Sequence, residues 1–151
     1  QRLKLKAANC IDADQLANIS KRAFHTDVNF GADNKEGPPG YDSRQWQVDI
    51  MNSAKAYFKI IFNGEIVGGI IIFNEEDVYY IGRIFIAPEY QQRGLGLKAM
   101  ELTFKRFPEA AKWKLETPIW NSRTRDFYMK LGFSIVRETK DEVYFEKISN
   151  N

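Results

Sequence analysis

The sequence predicts an α+β fold in which a mixed β-sheet is covered by helices, within one domain spanning residues 1–151. Two observations support this prediction. The chain is 44% hydrophobic over 151 residues, which is enough apolar material for one core. Helix-like and strand-like patterns also follow one another in the order β-α-α-β-β-β-α-β-α-β-β. Runs of consecutive strands joined by short turns indicate antiparallel pairing.

The N-terminal part of the chain predicts one strand, two helices and a long loop. Residues 2–7 alternate in polarity and predict a strand. A helix is expected from Asp12 to about Phe24, and a second over residues 43–53, capped by Asp42. Between them, residues 25–42 contain three glycines and a Pro-Pro pair. A loop of this length in a small domain is commonly functional.

The central part of the chain predicts a three-stranded meander. Asn63-Gly64 separates two apolar runs, and this dipeptide is typical of a tight β-hairpin turn. A second turn at residues 74–77 leads into a third apolar run. The strands are expected at residues 56–62, 65–73 and 78–87.

The C-terminal part predicts two further helices and three strands. A helix at residues 95–107 stops before Pro108, because a proline disfavours helical geometry in the residue before it. A strand at 112–119 is followed by a helix at 122–131, which Gly132 terminates. Residues 133–138 and 143–148 form a closing hairpin.

Composition excludes several classes of function. The net charge is +2, so the chain offers no general case for binding nucleic acid or a membrane. No stretch approaches the ~20 apolar residues of a membrane helix. A single cysteine, Cys10, permits no intrachain disulfide and favours a cytoplasmic setting. The chain has one histidine and one cysteine, which argues against a zinc site because such sites use several of these ligands. No metal is expected.

A glycine-rich loop joins the third meander strand to the next helix. GLGLKA, residues 94–99, formally matches the dinucleotide-binding pattern G-x-G-x-x-G/A, with Glu116 near the position of an acidic ribose ligand. Against that interpretation, residues 88–93 separate the strand from the first glycine, and only about 50 residues follow. A Walker A motif is absent. A phosphate bound at the helix N-terminus remains the physical expectation.

Three motifs in order make the chain resemble the GNAT superfamily, the Gcn-related N-acetyltransferases. QQRGLG at residues 91–96 matches Q/R-x-x-G-x-G/A, WKLETPIWN ends at Asn121, and YMKLGF occupies residues 128–133. The resemblance implies a mostly antiparallel sheet of about seven strands flanked by about four helices. It also implies that strands four and five, residues 78–87 and 112–119, splay apart to receive acetyl-CoA.

The same resemblance implies roles for particular residues. Backbone groups of strand four pair with the pantetheine arm of the coenzyme, and amides of the glycine loop hold its pyrophosphate. The implied coenzyme-binding residues are Ile84, Phe85, Ile86, Gln91, Gln92, Arg93, Gly94, Leu95, Gly96, Leu97, Lys98, Asn121 and Tyr128.

The implied chemistry is direct attack of a neutral amine on the thioester of acetyl-CoA. Tyr128 is the candidate general acid for the leaving thiolate, and a backbone amide at a strand bulge near Ile86 polarises the carbonyl. Where some family members carry a strand-four glutamate as base, this chain has Tyr80. Glu116 is the first alternative base. The others are Glu75, Glu76, or a water relayed by Tyr79 or Tyr80.

The acceptor is expected to be a primary amine of a small molecule, peptide or protein. The loop 25–42 contains Asp27, Asp33, Glu36 and Asp42 against Lys35, and such a wall would attract a cationic amine. A non-catalytic acyl-CoA sensor remains an alternative, and a dinucleotide-dependent oxidoreductase is a weaker one. A homodimer through exposed strand edges is also compatible with the sequence.

Overall fold

The computed structural model describes residues 2–149 and contains the predicted elements in the predicted order. The strands are β1 Leu3–Ala7, β2 Ala56–Phe62, β3 Glu65–Glu75, β4 Val78–Ile86, β5 Lys112–Pro118, β6 Ser134–Glu138 and β7 Glu142–Ile148. The helices are α1 Ala13–His25, α2 Arg44–Ser53, α3 Leu95–Arg106 and α4 Thr124–Lys130. Short 3₁₀ helices at Cys10–Asp12, Thr26–Phe30 and Pro88–Tyr90 connect them.

The seven strands form one sheet in the order β1-β2-β3-β4-β5-β7-β6. Every neighbouring pair is antiparallel except β4 and β5, which run parallel. The prediction of a mostly antiparallel, mixed sheet flanked by helices is confirmed. This topology differs from the doubly wound parallel sheet that a dinucleotide-binding oxidoreductase would require.

The parallel pair β4–β5 is short, and the two strands then separate. Their register covers only Val78–Lys112, Tyr79–Trp113 and Tyr80–Lys114. Beyond that point β4 continues to pair with β3 as far as Ile86, while β5 continues to pair with β7 as far as Pro118. Each strand keeps a partner on its outer side, so the gap that opens between them is a fixed feature of the sheet. The predicted splay of strands four and five is therefore present.

Two apolar cores pack on opposite faces of the sheet. Alternate residues of a strand point to opposite faces, and the side chains divide accordingly. Ile84 and Ile86 pack with α3 residues such as Met100, whereas Phe85 packs with α1. The predicted apolar face of α1 is buried, with exposed fractions of 0% for Leu16, 4% for Ile19 and 4% for Ala23.

Two turns have backbone geometry that explains their residues. Asn63 and Gly64 both have positive φ values, 51° and 84°, as a two-residue hairpin turn of type I′ requires. Gly132, with a φ of 92°, follows the end of α4, in agreement with its expected role.

Several predicted boundaries differ from the structure. The N-cap of α2 is Ser43, whose side chain accepts a hydrogen bond from the Trp46 N–H at 3.1 Å. The predicted cap, Asp42, is therefore wrong by one residue. The helix expected at 122–131 begins at Thr124, because Asn121 first forms a turn with Arg123. The loop 25–42 contains the 3₁₀ helix Thr26–Phe30.

The irregularity of β4 also lies elsewhere than expected. The register of β3 against β4 shifts between Ile71–Arg83 and Ile72–Ile81, so the extra residue is Gly82. A side chain at this position would collide with the ring of Phe73. The bulge predicted near Ile86 is therefore four positions further from the glycine loop than expected.

Among residues 2–149, none of the helices combines the length and apolar character needed to cross a lipid bilayer.

The position of the α2 cap gives a first test. Ser43→Ala is expected to lower the free energy of unfolding by about 1 kcal/mol, because it leaves the Trp46 N–H without its side-chain acceptor. Asp42→Ala is the matched control and should change stability by less than about 0.5 kcal/mol. Urea unfolding of both variants measures the difference. If Asp42→Ala lowers the free energy of unfolding more than Ser43→Ala does, the N-cap is Asp42, as the sequence predicts.

Candidate functional site

A cavity of about 570 Å³ opens where β4 and β5 separate. Its walls come from the end of α1 with the 3₁₀ helix after it, the unpaired part of β4, the glycine loop with the start of α3, and α4 with the turn before it. The lining residues are Ala23, Phe24, Asp27, Ile84, Phe85, Ile86, Tyr90, Gln91, Gln92, Gly94, Leu95, Gly96, Leu97, Asn121, Arg123, Thr124, Asp126, Phe127, Tyr128 and Lys130. A volume of this size is typical of a small-molecule or cofactor site.

The glycine loop presents the N-terminus of α3 to this cavity. Gln92 and Gly94 have positive φ values of 61° and 78°, and this geometry turns the chain sharply into the helix. The first intrahelical bond runs from the Lys98 N–H to the Gly94 carbonyl at 3.2 Å. The N–H groups that precede it in the helix lack an intrahelical acceptor. Together with the helix dipole, they form a site suited to an anion.

The two glycines of the loop have different structural roles. A Cβ on Gly94 would meet nothing within 4 Å, so this residue is glycine because of its positive φ. A Cβ on Gly96 would lie 3.1 Å from Cε1 of Phe127. Gly96 therefore allows close packing of α3 against α4. The sequence pattern does not distinguish these two reasons.

The free edge of β4 forms another wall of the cavity. The Ala87 N–H donates to the Val67 carbonyl at 2.8 Å, so the backbone groups of Ala87 and, by alternation, Phe85 point toward β3. The N–H and C=O groups of Ile84 and Ile86 point the other way, into the gap. One of them is already paired, because Gln91 Nε2 donates to the Ile86 carbonyl at 2.9 Å.

A charged network continues from Gln91 across the cavity. Arg123 Nη1 donates to Gln91 Oε1 at 3.1 Å, and Arg123 Nη2 donates to Asp27 Oδ1 at 2.7 Å. The guanidinium also lies over the ring of Phe30, 4.2 Å from its centroid. Asp27 is buried, and its side chain is 10% exposed. Burial raises the pKa of Asp27 above its ordinary value, while Arg123 acts to lower it.

The 3₁₀ helix Thr26–Phe30 is fastened to the segment between β5 and α4. Ser122 donates to the Phe30 carbonyl through both its N–H, at 3.0 Å, and its hydroxyl, at 3.2 Å. Gly31 has a φ of 119° and lies against the Trp120 carbonyl, where a Cβ would collide. These contacts join the α1 side of the protein to the β5 side over the gap.

The two predicted site residues nearest α4 line the cavity. Asn121 accepts a hydrogen bond from the Arg123 N–H at 3.0 Å through Oδ1, so its side chain shapes the turn into α4. Tyr128 is 5% exposed and packs against the rings of Phe127, Phe133 and Phe145. Burial raises the pKa of its hydroxyl above the ordinary value, so Tyr128 stays protonated near neutral pH.

Arg93 and Lys98 are separated from the other coenzyme-binding candidates. Their side chains line a second groove of about 530 Å³ between β1 and α3. Arg93 lies over the rings of Phe62 and Tyr90, at 5.5 and 5.3 Å from their centroids. All the remaining predicted coenzyme-binding residues line the main cavity.

The structure does not bring the candidate bases Glu116 and Tyr80 to the cavity. Glu116 is exposed on β5 and pairs with Tyr144 of β7. Tyr80 lies in the part of β4 that still pairs with β5, and its hydroxyl donates to Glu75 at 3.1 Å. Glu75 and Glu76 lie at the β3–β4 turn, away from the end where β4 and β5 separate.

The acidic loop contributes one carboxylate to the cavity. Asp33, Glu36 and Asp42 are exposed, whereas Asp27 points inward and binds Arg123. The sequence gives no signal for a role of Arg123 at this site. Its partner is 96 positions away, and no local motif links the two. Within residues 2–149, His, Cys, Asp and Glu side chains form no group of three suited to a metal ion.

Comparisons with known proteins agree with this architecture. The model of the acetyltransferase (GNAT) family matches residues 14–133. The uncharacterized protein YrkN of Bacillus subtilis is 31% identical over 133 residues, which cover 80% of this chain and 63% of YrkN. The chain thus spans less than two thirds of that relative's length.

Solved acetyltransferase structures share the fold at low sequence identity. An acetyltransferase from Thermus thermophilus gives a TM-score of 0.82 at 16% identity, covering 99% of this chain and 98% of that chain. PaiA N-acetyltransferase from Thermoplasma acidophilum, in complex with coenzyme A, gives 0.78 at 14% identity, covering 99% and 100%. The ribosomal-protein-S18-alanine N-acetyltransferase of Escherichia coli gives 0.79 at 19% identity, covering 99% and 96%.

The order of strands, the gap between β4 and β5, and the helix N-terminus at its edge are thus accompanied by a family match over residues 14–133. The chain belongs to the acetyltransferase (GNAT) family.

Proposed function

We propose that this protein transfers an acetyl group from acetyl-CoA to a primary amine of a small molecule, a peptide or a protein, by direct attack in a ternary complex. The observation that carries the proposal is the cavity between β4 and β5. It combines an unpaired strand edge with the open N-terminus of α3. These two features suit the amide-rich arm and the pyrophosphate of one long ligand.

The proposal assigns the pyrophosphate to backbone N–H groups in residues 92–98. The side chains of Arg93 and Lys98 line a different groove, so backbone donors and the dipole of α3 supply most of the attraction. The pantetheine arm pairs with the N–H and C=O of Ile84 and with the N–H of Ile86, beside Asn121, because the Ile86 carbonyl already accepts from Gln91. Phe85 supports this edge from the opposite face, because its side chain is buried against α1.

Tyr128 is the proposed general acid. It lines the cavity, and burial raises the pKa of its hydroxyl, so the phenol is protonated. It can therefore donate a proton to the departing sulfur of coenzyme A as the C–S bond breaks. No protein hydrogen bond from residues 2–149 occupies its hydroxyl, which leaves it free to donate.

The proposal names the acceptor only by its class, a primary amine. The names of the structural neighbours include an enzyme acting on the alanine of a ribosomal protein, which supports including a peptide N-terminus among the candidates. The possible homodimer and the cytoplasmic setting remain predictions.

The first experiment combines ligand binding with turnover. At ~100 times its dissociation constant, acetyl-CoA or CoA should stabilise the protein by about 2.7 kcal/mol, because each binds only the folded state. NADH should leave the thermal midpoint unchanged. Turnover is then measured by mass spectrometry with spermidine, an aminoglycoside, a lysine peptide and a peptide with N-terminal alanine. Mass spectrometry is preferred because Cys10 is exposed and would react with thiol reagents.

The outcomes of this experiment separate the alternatives. Stabilisation by acetyl-CoA together with amine acetylation supports the proposed function. Stabilisation without acetylation of any amine favours an acyl-CoA-binding module. A shift with NADH alone would contradict the assignment of the glycine loop.

Gly94 tests the role of the loop backbone. Gly94→Val is expected to weaken acetyl-CoA binding on the order of tenfold or more, because valine disfavours the positive φ that orients the N–H groups. Gly64→Val is a matched control, since Gly64 also has a positive φ and a Cβ added to it would meet nothing within 4 Å. The control should lose comparable stability and keep its coenzyme affinity. If calorimetry gives both variants the same affinity for acetyl-CoA, the glycine loop does not take part in binding the coenzyme.

Tyr128 tests the proposed acid. Tyr128→Phe should lower kcat on the order of 100-fold, because the thiolate loses its proton donor, while the affinity for CoA stays within twofold. Tyr144→Phe serves as the control, because Tyr144 lies on β7 outside the cavity, beneath Arg137. If Tyr128→Phe turns over at the wild-type rate, the departing thiolate takes its proton from solvent and not from Tyr128.

A further inference from the structure

The cavity leaves one buried carboxylate without an assigned role. Among residues 2–149, the carboxylates that line it are Asp27 and Asp126. Asp126 is exposed on the first turn of α4, whereas Asp27 is 7% exposed in the 3₁₀ helix that follows α1. Glu116, the first base expected from sequence, lies outside the lining. Asp27 is thus the buried carboxylate available to an amine inside the cavity.

Asp27 is connected to the free edge of β4, which the proposed function assigns to the pantetheine arm. The chain of contacts runs from Asp27 to Arg123 at 2.7 Å, from Arg123 to Gln91 at 3.1 Å, and from Gln91 to the Ile86 carbonyl at 2.9 Å. Two side chains therefore separate the carboxylate from the free edge of β4. Ala23 and Phe24 lie beside Asp27 on the same wall and supply apolar surface.

The carboxylate has capacity beyond its ion pair. Among residues 2–149, Arg123 alone donates a hydrogen bond to the Asp27 side chain, and it does so to Oδ1. A carboxylate accepts up to about four hydrogen bonds, so Oδ2 can accept one from an ammonium group. Arg123 fixes the orientation of the carboxylate while leaving this second oxygen for a ligand.

Other ionisable groups on the cavity walls are Tyr90, Arg123, Asp126, Tyr128 and Lys130. Of these, Arg123 acts on Asp27, since it is both the hydrogen-bond partner and the charge that lowers the pKa of Asp27. His25, two residues earlier, is turned toward Tyr41, with 2.8 Å between its Nε2 and the Tyr41 hydroxyl. The ionisation of Asp27 is therefore set by its burial and by Arg123.

We propose that Asp27 is the general base of the reaction, binding the acceptor ammonium in the cavity and removing its proton, with Arg123 as the residue that positions it. This inference rests on the proposed acetyl transfer. It replaces the strand-four glutamate that the resemblance implies for some family members with a carboxylate from the segment after α1. Its raised pKa suits the role, because a base is most effective when its pKa approaches the working pH.

The proton and bond changes balance without another reactant. The ammonium gives one proton to Asp27, which later releases it to solvent, and the neutral nitrogen forms a bond to the thioester carbon. The C–S bond breaks as the tetrahedral intermediate collapses, and the sulfur takes a proton from Tyr128. The second proton leaves the nitrogen in the same phase and restores Tyr128. The products are the acetylated amine, coenzyme A and one proton.

The test uses Asp27→Asn, with Asp141→Asn as an exposed control at the β6–β7 turn. With the amine that the wild-type protein acetylates fastest, Asp27→Asn should lower kcat/KM at pH 7 at least about 100-fold. The deficit should shrink as pH rises, because more of the amine is then neutral without a base. Asp141→Asn should behave as wild type. A deficit that is constant with pH, or activity within twofold of wild type, would contradict the proposal.

A second variant keeps the proposal testable if Asp27→Asn does not fold. In the wild-type profile, kcat/KM should fall at low pH as Asp27 is protonated. Arg123→Met should move this fall to higher pH, because the charge that lowers the pKa of Asp27 has been removed. An unchanged acid limb in Arg123→Met would mean that another group is the base.

The outcomes also separate this inference from the proposed function. Absence of turnover by the wild-type protein with every amine, despite acetyl-CoA binding, would overturn both. Wild-type turnover together with an active Asp27→Asn would overturn only the role of Asp27. Loss of acetyl-CoA affinity in Asp27→Asn, measured by calorimetry, would assign Asp27 to coenzyme-site structure and not to proton transfer.

Discussion

The separation of β4 from β5 is the constraint on which the rest of the structure depends. If the parallel pairing continued along both strands, their backbone N–H and C=O groups would bond to each other, and no cavity would form between them. Here the pairing stops after Tyr80 and Lys114, and each strand relies on its outer neighbour. The unpaired backbone groups of β4 must then bond to something else, because a buried N–H or C=O without a partner is costly. Gln91 meets part of this requirement at the Ile86 carbonyl.

The contacts that surround the gap compensate for this interruption of the sheet. Ser122 binds the Phe30 carbonyl, Gly31 lies against Trp120, and Arg123 binds Asp27. All of them join the segment after α1 to the segment after β5. They connect the two halves of the sheet above the point where its own hydrogen bonds end. The cavity is thus bounded by side chains that also hold the fold together.

Much of the fold follows from local sequence, and the differences have local causes. Asn63-Gly64 fixes a hairpin turn because both residues tolerate positive φ. The N-cap of α2 was misplaced because Asp42 and Ser43 are both good caps. The choice depends on which residue is extended, and the φ and ψ of Ser43, −103° and 122°, settle it.

The glycine loop, the free strand edge and Tyr128 could be placed from motifs, because each depends on neighbours in sequence. The position of Glu116 outside the cavity could not be predicted from motifs, because the exposure of its side chain depends on which strands the helices cover. The core on the α1 side reaches β2, β3 and β4, which leaves that face of β5 open. The pair Asp27–Arg123 could not be found either, since its two residues meet only after the gap in the sheet has formed.

The burial of Asp27 in this pair is better explained by the proposed site than by stability. Removing a carboxylate from water costs several kcal/mol, and the attraction of an arginine often does no more than offset it. An apolar pair of similar volume would close the gap between the α1 segment and α4 at least as well. It would not place a carboxylate on the cavity wall beside Phe24. The proposed role of Asp27 therefore accounts for a charge at this position, where Arg123 lowers the pKa of the carboxyl against the effect of its burial.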